Sequence, residues 1–319
     1  MPDTILITHS SFARRNTAPA DTLRAAGYAL RYVTAEELQQ ELPDVVGMVV
    51  GLQRITADIM DRAPRLRAIA RFGVGTDNID IAAATSRGII VTNAPGVNAA
   101  AVAELALGLM IDVSRRISLV DRRVRSGVWR GHVGTELSGK TLGIVGAGAI
   151  GRRLVKLVQG FDMRVLAATR TPDHEWARAN SVSIVDLPVL LREADYVSLH
   201  VPLTPQTRSL MGEAELDQMK PTAILINTSR GEIVDEQALI SALQSGVIAG
   251  AGLDVFQSEP PVDSPLLSMD NVVLTSHIGG ASAEAFHAAA QIASENLLDA
   301  LQGRVPKHVV NPEVLARRR

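Results

Sequence analysis

The chain has 319 residues, 46% hydrophobic and 21% charged, with a formal net charge of −2 and no cysteine. This length allows two domains with large cores, and the balanced charge argues against nucleic acid or an anionic membrane as a partner. The lack of cysteine excludes disulfides, thiolate metal sites and a cysteine nucleophile. No signal peptide or membrane-spanning run is visible, so we expect a cytoplasmic protein without a bound metal.

Short runs rich in Val and Ile alternate with Ala- and Leu-rich segments of helical period, which is typical of parallel sheets covered by helices. Before residue 98 this pattern predicts an open sheet of five strands, Thr4–Thr8, Leu30–Val33, Val45–Gly51, Arg67–Phe72 and Ile89–Thr92. One long helical segment is then expected from Asn98 to about Gly127. An exposed segment over Gly127–Lys140 follows it.

A second unit begins with Leu142. Its pattern predicts six strands, Leu142–Gly146, Arg164–Thr169, Tyr196–Val201, Ala223–Thr228, Gly250–Val255 and Val272–Thr275. Six is the number of strands in a Rossmann sheet. A last helix is expected over Ala283–Gln302. We therefore predict a Rossmann-type doubly wound domain, residues 99–286, inserted into a smaller flavodoxin-like α/β substrate domain, residues 1–98 and 287–319.

The stretch LGIVGAGAIGRRL holds a G-x-G-x-x-G motif between a predicted strand and a predicted helix. Gly146 allows a tight turn, Gly148 lets the backbone approach a pyrophosphate, and Gly151 lets helix and strand pack closely. Ala149 and Ile150 lie between the last two glycines, at the helix N-terminus. Three glycines alone could be a simple turn, but their order after a strand and before a helix indicates a dinucleotide site.

Five segments together, RFGVGTDNID, VGAGAIGRRL, LINTSRGEIVDEQAL, GAGLDVFQSEP and LTSHIGGAS, resemble the D-isomer-specific 2-hydroxyacid dehydrogenases over essentially the whole chain. The resemblance implies a split substrate domain, a central nicotinamide domain and an active site in the cleft. It also implies a homodimer, in which the arm after Gly127 lies at the interface. We therefore expect Trp129 to be buried between subunits.

Three charged residues are candidates for catalysis, and each follows a predicted strand. A guanidinium such as that of Arg230 can grip a carboxylate and polarise the adjacent keto oxygen. An imidazolium such as that of His277 can supply a proton to the alkoxide, and Glu259 can fix the ring and favour its protonated form. The ordinary alternatives are a surface arginine, a packing histidine and a solvated loop acid. All three residues match the family's catalytic positions.

The resemblance also implies binding contacts. Val74 and Gly75 match the loop whose backbone N–H groups bind the substrate carboxylate, in addition to Arg230 and His277. The ordinary alternative for this loop is a simple glycine-rich turn. For Asp254, which matches a cofactor contact of the family, it is a residue that caps the end of a strand. Besides the glycine-rich motif, the expected cofactor contacts are Thr169, Arg170, Pro202, Thr228, Asp254, Gly279 and Gly280.

The second Rossmann strand indicates which nicotinamide is used. NAD-selective sites usually place an acid at its end, but here it ends in Thr169 and Arg170, and Asp162 precedes it as the nearest acid. A hydroxyl and a guanidinium suit a 2′-phosphate. We therefore expect NADP(H) to be preferred and NAD(H) to remain possible, with a solvated Arg170 and an indifferent enzyme as the alternative.

These features predict an oxidoreductase that reduces a small 2-keto acid, glyoxylate or hydroxypyruvate, to the D-2-hydroxy acid by hydride transfer from NADPH. Two alternatives remain open: an NAD-dependent enzyme like 3-phosphoglycerate dehydrogenase, and a dinucleotide-sensing corepressor with the same fold. Formate-type relatives pair the histidine with glutamine, so Glu259 argues against them.

Overall fold

The structure is a computed structural model that describes residues 2–40 and 42–317. Its strands are β1 (Thr4–Ile7), β2 (Ala29–Tyr32), β3 (Val45–Val50), β4 (Ala68–Arg71), β5 (Ile90–Thr92), β6 (Thr141–Val145), β7 (Arg164–Ala168), β8 (Val182–Ile184), β9 (Tyr196–Leu199), β10 (Ile224–Asn227), β11 (Gly250–Leu253) and β12 (Val272–Leu274). Its α-helices are α1 (Ala18–Ala25), α2 (Ala57–Asp61), α3 (Ile81–Ser86), α4 (Ala99–Arg115), α5 (Ile117–Arg125), α6 (Ala149–Val158), α7 (His174–Ala179), α8 (Leu187–Glu193), α9 (Glu213–Leu216), α10 (Glu236–Ser245) and α11 (Ala283–Leu301).

The chain divides into two units. The first consists of the residues up to Asn98 together with those from Gly280 onward, and the second runs from Ala99 to Gly279. The second boundary thus lies before α11, whereas the sequence pattern places it after Phe286. The whole of α11 belongs to the first unit because it packs on that unit's sheet. Leu297 of α11 approaches Gly47 of β3 so closely that a Cβ atom added to Gly47 would lie 3.1 Å from Leu297 Cδ1.

The first unit is built on a five-stranded parallel sheet of order β2-β1-β3-β4-β5. This is the flavodoxin-like order, so the predicted architecture of this unit is confirmed. The central strand β3 is buried along its whole length. Its run VVGMVV is apolar on both faces, as expected for a parallel strand covered by helices on both sides.

The second unit is built on a parallel sheet of order β12-β11-β10-β9-β6-β7-β8, seven strands within the described residues. Relative to β6 this is the Rossmann order 3-2-1-4-5-6 with one more strand, and it confirms the predicted fold class. The expected count of six is wrong, because β8 is missing from the prediction. This strand has three residues at the edge of the sheet, with Ser183 exposed, so it is too short to show a periodicity.

The helical segment after Asn98 is two helices, not the single helix expected. α4 and α5 are separated by Arg116, whose backbone is left-handed with φ 54°. Asp112 Oδ1 accepts a hydrogen bond from Ser118 N at 2.9 Å, which caps the new helix. No Gly or Pro marks this break, so the sequence carries no ordinary signal of it.

The arm that follows α5 has no regular secondary structure up to the turn before β6. Two of its apolar side chains are almost fully exposed within the chain, Trp129 at 91% and Val133 at 95%. No α-helix in the described part of the chain has both the length and the apolar character of a membrane span.

Candidate active site

Three neighbouring strands place the candidate catalytic residues at one edge of the second sheet. β10, β11 and β12 pair in parallel, and Arg230, Glu259 and His277 follow them in that order. Because the carboxyl ends of parallel strands share an edge, the three side chains come from adjacent loops. This edge is where open α/β sheets bind ligands.

His277 and Glu259 form a direct pair. The distance from His277 Nδ1 to Glu259 Oε2 is 2.7 Å, as the expected contact between them requires. The His277 side chain is 25% exposed and that of Glu259 is 35% exposed, so the pair is partly desolvated yet reachable. Because Nδ1 is occupied by the carboxylate, Nε2 is the ring atom left for a proton transfer.

The charges at this edge act on Glu259. Burial raises the pKa of Glu259, but the hydrogen bond and charge of His277, the Phe256 amide and the Arg230 charge together lower it below its usual value. The carboxylate therefore stays ionised at neutral pH and can balance a positive imidazole. The charge of Arg230 thus acts in the same direction as that of His277, toward an ionised Glu259.

Arg230 is held by the turn that carries it. Asn227, almost fully buried at the end of β10, donates from Nδ2 to the Arg230 carbonyl at 2.9 Å and accepts from Ser229 N at 3.1 Å. The Arg230 Nη1 donates to the Ser229 carbonyl at 2.7 Å. Asn227 is not among the site residues expected from the sequence, although a polar residue at the end of a buried strand is a signal for such a role.

A buried carboxylate holds the His277 loop. Asp254 is 1% exposed, and its Oδ1 accepts from Thr275 Oγ1 at 2.6 Å and Ile278 N at 2.8 Å, while Oδ2 accepts from Gly279 N at 2.7 Å. Its carbonyl accepts from His277 N at 2.8 Å. His277 has φ 55°, a left-handed conformation that costs a non-glycine residue roughly 1–3 kcal/mol. Asp254 therefore stabilises the backbone that aims the imidazole.

The glycine-rich turn lies between β6 and α6, at the point where the strand order reverses. Gly146 has φ 100°, and a Cβ there would lie 2.7 Å from the His200 carbonyl. A Cβ at Gly151 would lie 2.5 Å from the Gly146 carbonyl, whereas Gly148 faces open space. The first and third glycines thus serve close packing, and the second leaves room for a phosphate group to approach the backbone.

Two buried polar atoms at this edge have no hydrogen-bond partner among the described residues, Thr228 Oγ1 and His200 Nδ1. Burial lowers the pKa of His200 to about 4, so this imidazole is neutral. Its Nε2 lies 2.9 Å from Ser198 Oγ. Partnerless polar atoms beside an open glycine-rich turn fit a dinucleotide, whose polar groups can satisfy them.

The other expected cofactor contacts lie at the same edge of the second sheet, with one exception. Thr169 and Arg170 follow β7, Thr169 half-buried and Arg170 exposed. Pro202 follows β9 and is exposed, and Gly279 follows β12. Gly280 is the exception, because it belongs to the first unit. A Cβ atom added to Gly280 would lie 3.1 Å from Asn98 Nδ2.

The expected substrate loop, Val74–Gly75, lies in the first unit just after β4. Asn93 Nδ2 donates to the Val74 carbonyl and Arg71 Nε to the Gly75 carbonyl, both at 2.8 Å. The N–H groups of Val74 and Gly75 donate no hydrogen bond within residues 2–40 and 42–317. The loop therefore presents donors, which suits a carboxylate. No cluster of three or more metal-binding side chains is found in the same ranges.

Several known proteins are similar to this chain in sequence. Residues 107–279 match the NAD binding domain of the D-isomer specific 2-hydroxyacid dehydrogenases. The chain is 46% identical over 288 residues to the glyoxylate reductase of Thermococcus litoralis, covering 88% of this chain and 86% of that protein. It is 42% identical over 283 residues to the D-3-phosphoglycerate dehydrogenase of Methanocaldococcus jannaschii, covering 88% of this chain and 54% of that one.

A solved structure has the same fold. The crystal structure of the NADPH-dependent glyoxylate/hydroxypyruvate reductase from Sinorhizobium meliloti, in complex with NADP and malonate, matches with a TM-score of 0.85 at 31% identity, covering 99% of this chain and 98% of that one. Fold and site define a nicotinamide-dependent dehydrogenase. The chain belongs to the D-isomer-specific 2-hydroxyacid dehydrogenase family, which confirms the resemblance read from its motifs. The proteins of this family are, by its description, dehydrogenases specific for the D isomers of 2-hydroxy acids.

The role of Asp254 can be tested directly. Replacing Asp254 by Ala leaves the Ile278 and Gly279 amides without their acceptor, which costs about 1–3 kcal/mol for a buried donor such as the Gly279 amide. We expect hydrogen exchange at these two amides to become at least about 10-fold faster, with a loss of turnover. Asp217→Ala, at an exposed carboxylate after α9, is the control and should change neither. Unchanged exchange at Ile278 and Gly279 would refute the role.

Proposed function

We propose that the protein reduces glyoxylate or hydroxypyruvate to the D-2-hydroxy acid, with NADPH as the preferred cofactor. The observation that carries the proposal is the 2.7 Å pair of His277 and Glu259 on the sheet edge that also carries Arg230. The sequence similarity to glyoxylate reductases of 42–46% identity supports the choice of substrate.

The residues of the site divide the work of this reaction between substrate binding and proton transfer. The bound dihydronicotinamide supplies a hydride to the keto carbon. Arg230 holds the substrate carboxylate and polarises the keto oxygen, because a guanidinium can donate two parallel hydrogen bonds. Val74 and Gly75 are proposed as further donors to that carboxylate.

His277 supplies the proton. As the carbonyl carbon accepts the hydride, its oxygen gains negative charge and takes the proton from His277 Nε2, so that the keto group becomes a hydroxyl group. Glu259 holds the ring through Nδ1 and offsets its positive charge until the proton leaves. In the opposite direction the neutral imidazole accepts the proton of the hydroxy acid.

The preference for NADPH is supported by the end of β7. Thr169 and Arg170 stand where an NAD-selective site has its acid, and Arg170 is exposed and available to a 2′-phosphate. The solved relative in complex with NADP has the same fold over 98% of its length. Thr228, Asp254 and Gly279 are proposed as contacts for the nicotinamide half of the cofactor.

A second candidate is oxidation of 3-phosphoglycerate, favoured by the 42% identity to a D-3-phosphoglycerate dehydrogenase. Comparing 3-phosphohydroxypyruvate with glyoxylate and hydroxypyruvate as substrates separates the two. A third, a corepressor-like binding protein, would bind the dinucleotide without turnover.

Substitutions in the proton-donating pair test the mechanism. His277→Gln should lower kcat for keto-acid reduction by about 10²-fold or more, with cofactor binding nearly unchanged. Because the pKa of Glu259 is lowered, its carboxylate is fully ionised above about pH 4.5, the ordinary Glu value, and its charge is lost as the pH falls through the lowered pKa. Glu259→Gln removes this carboxylate, so the rate at neutral pH should fall and the further loss of rate in acid should disappear. An unchanged pH profile would contradict this role.

Arg170 tests the cofactor preference. Arg170→Ala should weaken NADPH binding by about 10- to 150-fold, equivalent to about 1.5–3 kcal/mol for charge-assisted hydrogen bonds, and should barely change NADH binding. Dissociation constants measured by calorimetry decide the point. Equal catalytic efficiency with the two cofactors in the unmodified enzyme would contradict the proposed preference for NADPH.

A homodimer is proposed as the working assembly. The exposed Trp129 and Val133 on the arm after α5 support it, since large apolar side chains are seldom left in water together. Light scattering at micromolar concentration should give twice the mass of the 34.0 kDa chain, and Trp129→Ala should shift the equilibrium toward the monomer. A monomeric mass for the unmodified protein would contradict the proposal.

A further inference from the structure

The loop after β7 carries an acid that bears on the choice of cofactor. Asp173 lies four residues after Thr169, nearer along the chain than Asp162, so the expectation that the nearest acid precedes the strand is wrong. A carboxylate close to the end of this strand favours a ribose 2′-hydroxyl and repels a 2′-phosphate. The proposed use of NADPH therefore requires that the charge of Asp173 be offset.

Arg152, on the first turn of α6, is placed to do this. Its Nη2 lies 3.0 Å from Asp173 Oδ2, and its Nε donates to the Ala147 carbonyl at 3.1 Å. Ala147 stands between Gly146 and Gly148 of the glycine-rich turn. One guanidinium group therefore joins the pyrophosphate-binding turn to the carboxylate after β7.

The position of this guanidinium is fixed by an aromatic ring. The Cζ atom of Arg152 lies 4.6 Å from the centroid of the Trp176 ring, within the range of a cation–π interaction. The Trp176 amide donates to Asp173 Oδ1 at 3.0 Å, so the carboxylate also caps α7. Both oxygens of Asp173 are thus used by Arg152 and the N-terminus of α7.

The same corner contains the end of β7. Gly146 N donates to the Ala168 carbonyl at 2.9 Å, directly before Thr169 and Arg170. The side chains of Arg152, Arg170 and Asp173 together carry a net charge of +1. Without Arg152, the charges of Arg170 and Asp173 cancel. A phosphate monoester carries about −1.5 to −2 at neutral pH, so this difference changes its binding but not that of a hydroxyl.

We propose that Arg152 is a specificity-determining residue of the dinucleotide site, which neutralises Asp173 and so admits a ribose that carries a 2′-phosphate. The inference rests on the proposed use of NADPH and adds a second determinant to Arg170. Arg152 selects through the acid it masks, whereas Arg170 is proposed to contact the phosphate itself.

Calorimetric titration of NADPH and NADH tests the proposal without reliance on activity. Arg152→Ala should weaken NADPH binding by about 10-fold and change NADH binding by no more than about twofold. Asp173→Asn, which keeps a residue suited to capping α7, should restore about half or more of that loss on the logarithmic scale when added to Arg152→Ala. Arg152→Lys, which retains the charge, should stay within about threefold of the unmodified protein.

Lys156→Ala is the matched control, since it removes the same charge from the exposed face of α6 one turn further on, and it should change both constants by less than about twofold. An unchanged ratio of the two dissociation constants in Arg152→Ala would overturn the proposal, as would a double variant with no recovery. If the unmodified protein bound NADPH and NADH with nearly equal dissociation constants, the proposed preference for NADPH would be refuted. The effect of Arg152 would still be measurable, because it is the change in the ratio of the two constants between the unmodified protein and Arg152→Ala.

Discussion

The parallel register of β10, β11 and β12 is the constraint on which the chemistry depends. Because the three strands run in one direction, the loops after them open at one edge, and Arg230, Glu259 and His277 meet there although 47 positions separate the first from the last. The same rule brings the glycine-rich turn, Thr228 and the end of β7 to this edge. Each helix between strands returns the chain to the opposite edge, so every loop at this edge is free to carry function.

Buried polar groups then turn this edge into a site with fixed geometry. Asp254 holds the His277 loop in a left-handed backbone, and Asn227 holds the Arg230 turn. Neither side chain has to touch the reacting atoms to matter, because a catalytic group is effective only when its orientation is set before the substrate binds. Arg152 has a comparable role at the cofactor end, where it sets the charge that a ribose meets.

Much of this could be predicted from the sequence. The buried strands are continuous apolar runs, the glycine spacing indicates a phosphate-binding turn, and Arg230, Glu259 and His277 fall at strand ends in family motifs. The edge strand β8, the break at Arg116 and the Arg152–Asp173 pair could not. β8 has too few residues for a pattern. The left-handed backbone conformation of Arg116 has no signal in the sequence. The ion pair joins an α6 residue to a later loop, so it depends on the packing of β6 against β7.

Transfer of deuterium from the cofactor to the substrate would demonstrate the proposed hydride transfer. NADPH that is fully deuterated at C4 of the dihydronicotinamide is incubated with the enzyme and glyoxylate or hydroxypyruvate, and the product is analysed by mass spectrometry and on a chiral column. We expect one deuterium at C2 of the hydroxy acid for each cofactor oxidised, and the D isomer of glycerate from hydroxypyruvate. A protein that binds the cofactor but transfers no deuterium to any 2-keto acid would contradict the proposed hydride transfer.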